Sequence, residues 1–225
     1  MSRFASKILT VGILLIACAA LCSASTITEA CSSVGPLPTE LNVVLSCPQF
    51  NGGGTLTSMS IALMGSITGS ITLTNNDSSS SQTGSGTSAS AFSLGPLAGF
   101  IIVNPLFTAS YTTGVQTLGP SQTQVFSGLT GSGSATVNNT TTFLPYIGSS
   151  TFSVGPVTTL SSLTISGGGG NFGGSQITKA SVSAEVTYNY ASSTVPEPAT
   201  SMLAGGALIL FGLSFRQLSR RRQTK

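Results

Sequence analysis

Residues 25–190 read as an all-β domain, an antiparallel β-sandwich, and three features carry that expectation. Apolar and polar side chains alternate at period two, Gly-, Pro- and Asn-rich clusters interrupt the alternation, and no long stretch between Thr26 and Tyr190 repeats its aliphatics every 3.6 residues. The clearest alternation sets Met59, Ile61 and Leu63 against Ser58, Ser60 and Ala62. Ile67, Ile71 and Leu73 alternate with Thr68, Ser70, Thr72 and Thr74, and Val182, Ala184, Val186, Tyr188 and Tyr190 with Ser181, Ser183, Glu185, Thr187 and Asn189. Successive strand residues point to opposite faces, so each segment has one face to bury.

Further strands are expected over 41–45, 89–94, 107–112, 122–129, 134–146 with a break, and 158–165. Turns are expected at 52–54, 75–77, Gly95-Pro96, Gly119-Pro120, Gly155-Pro156 and 167–174. The run at 78–90, SSSSQTGSGTSAS, reads as a flexible loop. About eight to ten short strands result, the count of a sandwich.

Both ends of the chain differ from this middle. In residues 1–24, Arg3 and Lys7 precede an apolar run over 8–17, and Cys22 and Ala24 hold the −3 and −1 positions of a cleavage before Ser25. That is the pattern of a secretory signal peptide, and the run is shorter than the ~20 residues a membrane span needs. A competing reading is Leu15-Ile16-Ala17-Cys18, which resembles a bacterial lipobox and would place a lipid on Cys18. At the other end, residues 199–215 carry no charge. As a helix they would rise ~25 Å, adequate for a single transmembrane span. Arg216, Arg220, Arg221, Arg222 and Lys225 follow at once. Clustered positive charge stays on the cytoplasmic side, which puts the chain before Ala199 outside.

Immediately before this apolar stretch stands Val195-Pro196-Glu197-Pro198. A Pro-Glu-Pro signature, a short apolar span and an Arg cluster, in that order over about 193–225, resemble the PEP-CTERM protein-sorting domain. The resemblance implies an exported bacterial protein, held in the inner membrane until an exosortase cleaves near Pro-Glu-Pro. Two prolines fix φ and remove two donors, so the segment stays extended and cannot pair into a sheet. Within the middle, Phe50-Asn51-Gly52-Gly53-Gly54-Thr55-Leu56-Thr57-Ser58, followed by Gly65-Ser66-Ile67-Thr68-Gly69 and Thr74-Asn75, resembles the choice-of-anchor E domain over roughly 38–190. That family joins a common extracellular domain to varied sorting tails and implies no activity and no catalytic residues.

Composition narrows the chemistry. The chain has no histidine, which excludes His-dependent triads and imidazole metal sites. Between Ser25 and Val195 four carboxylates, Glu29, Glu40, Asp77 and Glu185, face one cation, Lys179. Nucleic-acid binding needs clustered Lys and Arg, which this middle lacks. General acid–base catalysis needs paired titratable groups, and these four are spread along the chain. No metal-ligand spacing or phosphate loop occurs, so neither metal nor cofactor is expected. Cys31 and Cys47, an even pair in an exported chain, are expected to form a disulfide, with two free buried thiols as the alternative. A loop of that size contributes on the order of 3 kcal/mol.

The expectation is therefore a non-enzymatic surface or extracellular-matrix protein, sorted by an exosortase and associated with exopolysaccharide, whose hydroxyls suit a Ser/Thr-rich surface. A carbohydrate- or ice-binding module using Thr68, Ser70, Thr72 and Thr74 is the alternative, and a secreted hydrolase the weaker one.

Overall fold

A computed structural model describes residues 24–167, 169, 171–192 and 205–206. Residues 1–23 and nearly all of 193–225 fall outside the described residues, and with them the signal peptide, Val195, Pro196, Glu197, Pro198, Arg216, Arg220, Arg221 and Arg222. No helix among the described residues is long and apolar enough to cross a membrane. Thr26–Gly52 and Leu56–Tyr190 form one compact unit, and a second takes in the two chain ends with Gly53–Thr55.

Nine strands build the first unit: β1 (Ala24–Pro38), β2 (Asn42–Pro48), β3 (Gly54–Asn75), β4 (Gln82–Leu94), β5 (Phe107–Thr112), β6 (Gln116–Leu118), β7 (Thr123–Asn139), β8 (Thr151–Gly167) and β9 (Phe172–Ser192). One sheet has the order β1-β9-β3-β7; the other has the order β2-β8-β4-β5, with β6 added beside β4. The strand pairs are antiparallel. The core lies between the two sheets, as in a β-sandwich. Ile61, Leu63, Ile67, Ile71 and Leu73 of β3 are fully buried, as are Leu45, Phe92 and Val154 of the other sheet. Burial of each such side chain contributes roughly 1.5–3 kcal/mol. The alternations around Ile61, Ile71 and Val186 point inward as expected, because a one-residue slip would expose them all.

Three expectations need correction. The run at 78–90 is a loop only at its start, since β4 begins at Gln82 and is a central strand. Its inward positions, Gly84, Gly86, Ser88 and Ser90, are buried but small. A Cβ at Gly86 would stand 2.8 Å from Ile71 Cγ2, so the opposite sheet fills the space these residues leave. Gly155-Pro156 lies inside β8 rather than in a turn, and Gly95 packs against the Pro156 ring and donates its N–H to Pro156 O (2.8 Å). Residues 172–174, expected within a turn, open β9. The sequence also gave no sign of most of β1, an edge strand whose Ile27, Cys31 and Val34 alone pack on the core.

Cys31 and Cys47 are disulfide-bonded, sixteen residues apart. The bond joins β1 to β2, the edge of one sheet to the edge of the other. Ser46 N–H donates to Ser32 Oγ (2.8 Å) beside it. On the opposite side the edges are β7 and β5, and there Gly131 lies directly against the Ser110 backbone, an approach that leaves no room for a Cβ. Both open margins of the sandwich are thus closed, one covalently and one by backbone contact.

Most buried polar side chains are paired, the exception among the described residues being Gln176 Oε1, which is buried without a hydrogen-bond partner. Thr178 of β9 shares hydrogen bonds with the Tyr111 hydroxyl (2.7 Å) and Ser88 Oγ (3.1 Å), linking the two sheets through the core. Asn75 and Asn139, both fully buried, end β3 and β7. Asn75 Nδ2 donates to the carbonyls of Ser80 and Gly119 (each 2.8 Å), and Asn139 Nδ2 to that of Thr142 (2.6 Å). Each side chain replaces partners that the turn backbone lacks.

Candidate functional site

The outer face of the β1-β9-β3-β7 sheet carries an open, serine-lined groove. β3 and β7 run in register with Met64 opposite Ser134, Gly65 opposite Gly133 and Ser66 opposite Ser132. Gly65 and Gly133 have space only for hydrogen on the inner face, where Phe92 and Phe107 stack at 4.7 Å. Their neighbours Ser66, Ser132 and Ser134 consequently point outward. Ser181 and Ser183 of β9 and Ser33 of β1 complete an open groove of about 520 Å³, with Met64 of β3 among its lining residues. Ser33, Ser132 and Ser134 are exposed; Ser66, Ser181 and Ser183 are half-buried.

No ionisable side chain lines the groove. Lys179 and Glu185, both exposed, lie on β9 just beyond Ser181 and Ser183. At ~3.3 Å per residue they stand ~20 Å apart, one charge of each sign flanking the groove. The surface therefore offers hydroxyl donors and acceptors at low desolvation cost, with no nucleophile–base pair.

Thr68, Ser70, Thr72 and Thr74 continue the outer row of β3 beyond the groove, but only Thr68 is exposed. Thr74 Oγ1 is hydrogen-bonded to Thr123 Oγ1 (3.2 Å) across the strand pair. A β-bulge in β7 interrupts the row, where the register passes from Gly69–Leu129 to Ile71–Phe126 and Gly128 takes φ +72°.

The four carboxylates lie on four segments, of which β1 and β9 are neighbours in one sheet. Glu29 lies on β1, Glu40 in the β1–β2 turn, Asp77 after β3 and Glu185 on β9. No group of three or more His, Cys, Asp or Glu able to hold a metal occurs among the described residues. Asp77 serves its own turn. Its Oδ1 accepts the N–H (2.8 Å) and hydroxyl (2.8 Å) of Ser79 and the N–H of Ser80 (3.1 Å), and its Oδ2 accepts Gln82 Nε2 (3.2 Å). These bonds, those from Ser79 first, hold its carboxyl at about 2. Burial, with the Glu29 charge adding to it, pushes the Tyr188 phenol well above its ordinary value. Tyr188 donates that hydroxyl to Pro48 O, a packing role.

No protein family and no curated protein matches the chain. Among solved structures it is similar to the tobacco streak virus coat protein dimer, at 8% identity over 78% of this chain and 91% of that one, with a TM-score of 0.23. It is also similar to a family 29 carbohydrate-binding module from Piromyces equi, at 6% identity over 75% and 91%, TM-score 0.19. A mutant of module CBM29-2 gives 7% identity over 80% and 96%, TM-score 0.20. Similarity this slight carries no functional argument.

Proposed function

We propose that this chain is an exported, non-enzymatic surface or extracellular-matrix protein. Residues 1–24 deliver it, residues 199–215 hold it in the inner membrane with the sandwich outside, and an exosortase processes it at Val195-Pro196-Glu197-Pro198. The observation that carries this reading is the ordered tail, Pro-Glu-Pro then uncharged span then Arg cluster, behind an amino-terminal export signal. The Cys31–Cys47 disulfide is compatible with an oxidising compartment.

The serine-lined groove supports exopolysaccharide as the partner. A hydrated polysaccharide exchanges hydrogen bonds with serine hydroxyls at little net cost, each bond contributing ~1 kcal/mol. With no aromatic platform in the groove, each contact is weak, and many copies along one polymer give the retention a matrix needs. The alternatives find less support. An ice-binding array calls for a flat exposed row, and the Thr68–Thr74 row is exposed at Thr68 alone and broken by the bulge. A hydrolase calls for paired carboxylates in a pocket, and none of the four, including Glu29 and Glu185 on the neighbouring strands β1 and β9, lines the groove.

The groove is tested by Ser132→Phe, which fills it from an exposed position. Retardation of the protein in gels containing exopolysaccharide from the producing cells should fall in this variant. Unchanged retardation would remove the groove from the account.

A further inference from the structure

Several features meet at one end of the sandwich. Tyr190, near the end of β9, packs its ring against that of Phe50 at 5.0 Å, tilted by 51°. Phe50 N–H donates to Tyr146 O (2.8 Å) and Phe50 O accepts from Gly148 N–H (3.0 Å). Tyr146 in turn donates its hydroxyl to Ala98 O (2.7 Å) and meets the Phe100 ring edge-on at 5.7 Å. The segments 49–52, 95–106 and 140–150 are therefore packed together at the end where β9 finishes. None of the three contains a charged residue. Their tips nonetheless expose large aliphatics: Ile101 is 87% exposed, Leu144 85% and Val103 75%, with Ile147 beside them at 48%.

Exposed aliphatics grouped on uncharged loops and backed by rigid aromatic packing mark an interaction surface. Its location says what the surface meets. From Ser192 the chain needs seven residue steps to reach Ala199, a tether of at most ~25 Å. The strands of the sandwich are longer than that, ~40 Å for β4. If 199–215 spans the bilayer, the pole carrying Ile101 and Leu144 is held nearest to the lipid, on a tether too short for the opposite pole to take its place.

We infer that this pole, through Ile101, Val103, Leu144 and Ile147, docks into the outer-leaflet interface of the membrane. The inference rests on the reading of 199–215 as a membrane span. Without cationic side chains the loops enter by their apolar surface and need no anionic lipid. Docking also holds 193–198 at the membrane surface, where a membrane-embedded processing enzyme meets its substrate.

The chain contains no tryptophan, so one introduced residue reports without background. Ile101→Trp and Leu144→Trp place it on the pole, and Val115→Trp at the far end, a site of 75% exposure beyond β5. The full chains are reconstituted in phosphatidylcholine vesicles with brominated acyl chains. Both pole variants should lose fluorescence relative to unbrominated vesicles, while Val115→Trp keeps it and remains open to acrylamide. Vesicle flotation of the unsubstituted chain reads the span separately. A chain that does not float removes the span and this inference with it. A chain that floats while both pole tryptophans stay unquenched by bromine overturns the inference alone. Pole tryptophans shielded from acrylamide but not quenched by brominated lipid would also overturn it, showing a protein cover instead.

Discussion

Gly65 of β3 lies directly beneath the ring of Phe92, so close that a Cβ there would stand 2.5 Å from Phe92 Cε1. Across the register Gly133 stands in the same relation to Phe107, at 2.7 Å from Cδ2, and the two rings stack on each other. Two facing glycines on one sheet thus accommodate two facing aromatics on the other. The same pair turns Ser66, Ser132 and Ser134 outward to form the groove. Core packing and outer surface are set by one stretch of register.

Alanine at either glycine must displace a ring that is already held by its partner. Gly65→Ala and Gly133→Ala are each expected to lower stability by about 1–3 kcal/mol, the range for overpacking. That exceeds the roughly 0.4–1 kcal/mol alanine contributes by stiffening the unfolded chain. Gly53→Ala, where a Cβ meets nothing within 4 Å, has no overpacking to offset that gain, so its urea midpoint should equal or slightly exceed the parent's. A parent-like midpoint for Gly65→Ala would show that the rings give way freely.

The clasp between sheet edges gives a second expectation. Closing sixteen residues restricts the unfolded chain by about 3 kcal/mol, so Cys31→Ser with Cys47→Ser should lower stability by that order. Intact mass of the exported protein, alkylated with and without reduction, should show no free thiol at these positions before reduction. Two alkylated thiols in the unreduced protein would contradict the bond.

What hydropathy could reveal depended on side-chain size. Ile61, Ile71 and Val186 announced their strands because aliphatics alternate with hydroxyls. The first half of β4 stayed hidden, although a strand over 89–94 was legible, because its inward residues Gly84, Gly86 and Ser88 are as small as those of a linker, and the bulk filling their space belongs to Ile71 and other residues of the opposite sheet. Gly155-Pro156 has the composition of a turn, yet neighbouring strands hold it inside β8. Nothing local marked the groove either. Ser33, Ser66, Ser132 and Ser181 are far apart in the chain and become neighbours only through strand order. The Cys31–Cys47 bond was legible because two cysteines between residues 25 and 190 leave one pairing.

Asp77 gives the turn after β3 a pH dependence. Its folded-state value, about 2, lies below the ordinary 3.8, so the unfolded chain takes up a proton first as pH falls. The contribution of Asp77 is complete above 3.8 and is lost as pH falls toward 2. The stability difference between the parent and Asp77→Asn should narrow over that interval and stay flat at neutral pH. Parallel curves through the acid range would show that the carboxylate is not held by Ser79 and Ser80.

The central claim is that the tail is a sorting signal read by a processing enzyme, and the most direct measurement is cell fractionation in a host carrying the cognate exosortase. The parent chain should be shortened and released. A variant with Pro196→Ala, Glu197→Ala and Pro198→Ala loses the Pro-Glu-Pro signature but keeps the apolar stretch and the Arg216–Arg222 cluster, whose charge resists passage through hydrocarbon. It should accumulate full-length in the membrane fraction. Release of that variant in shortened form, at the rate of the parent, would contradict the account.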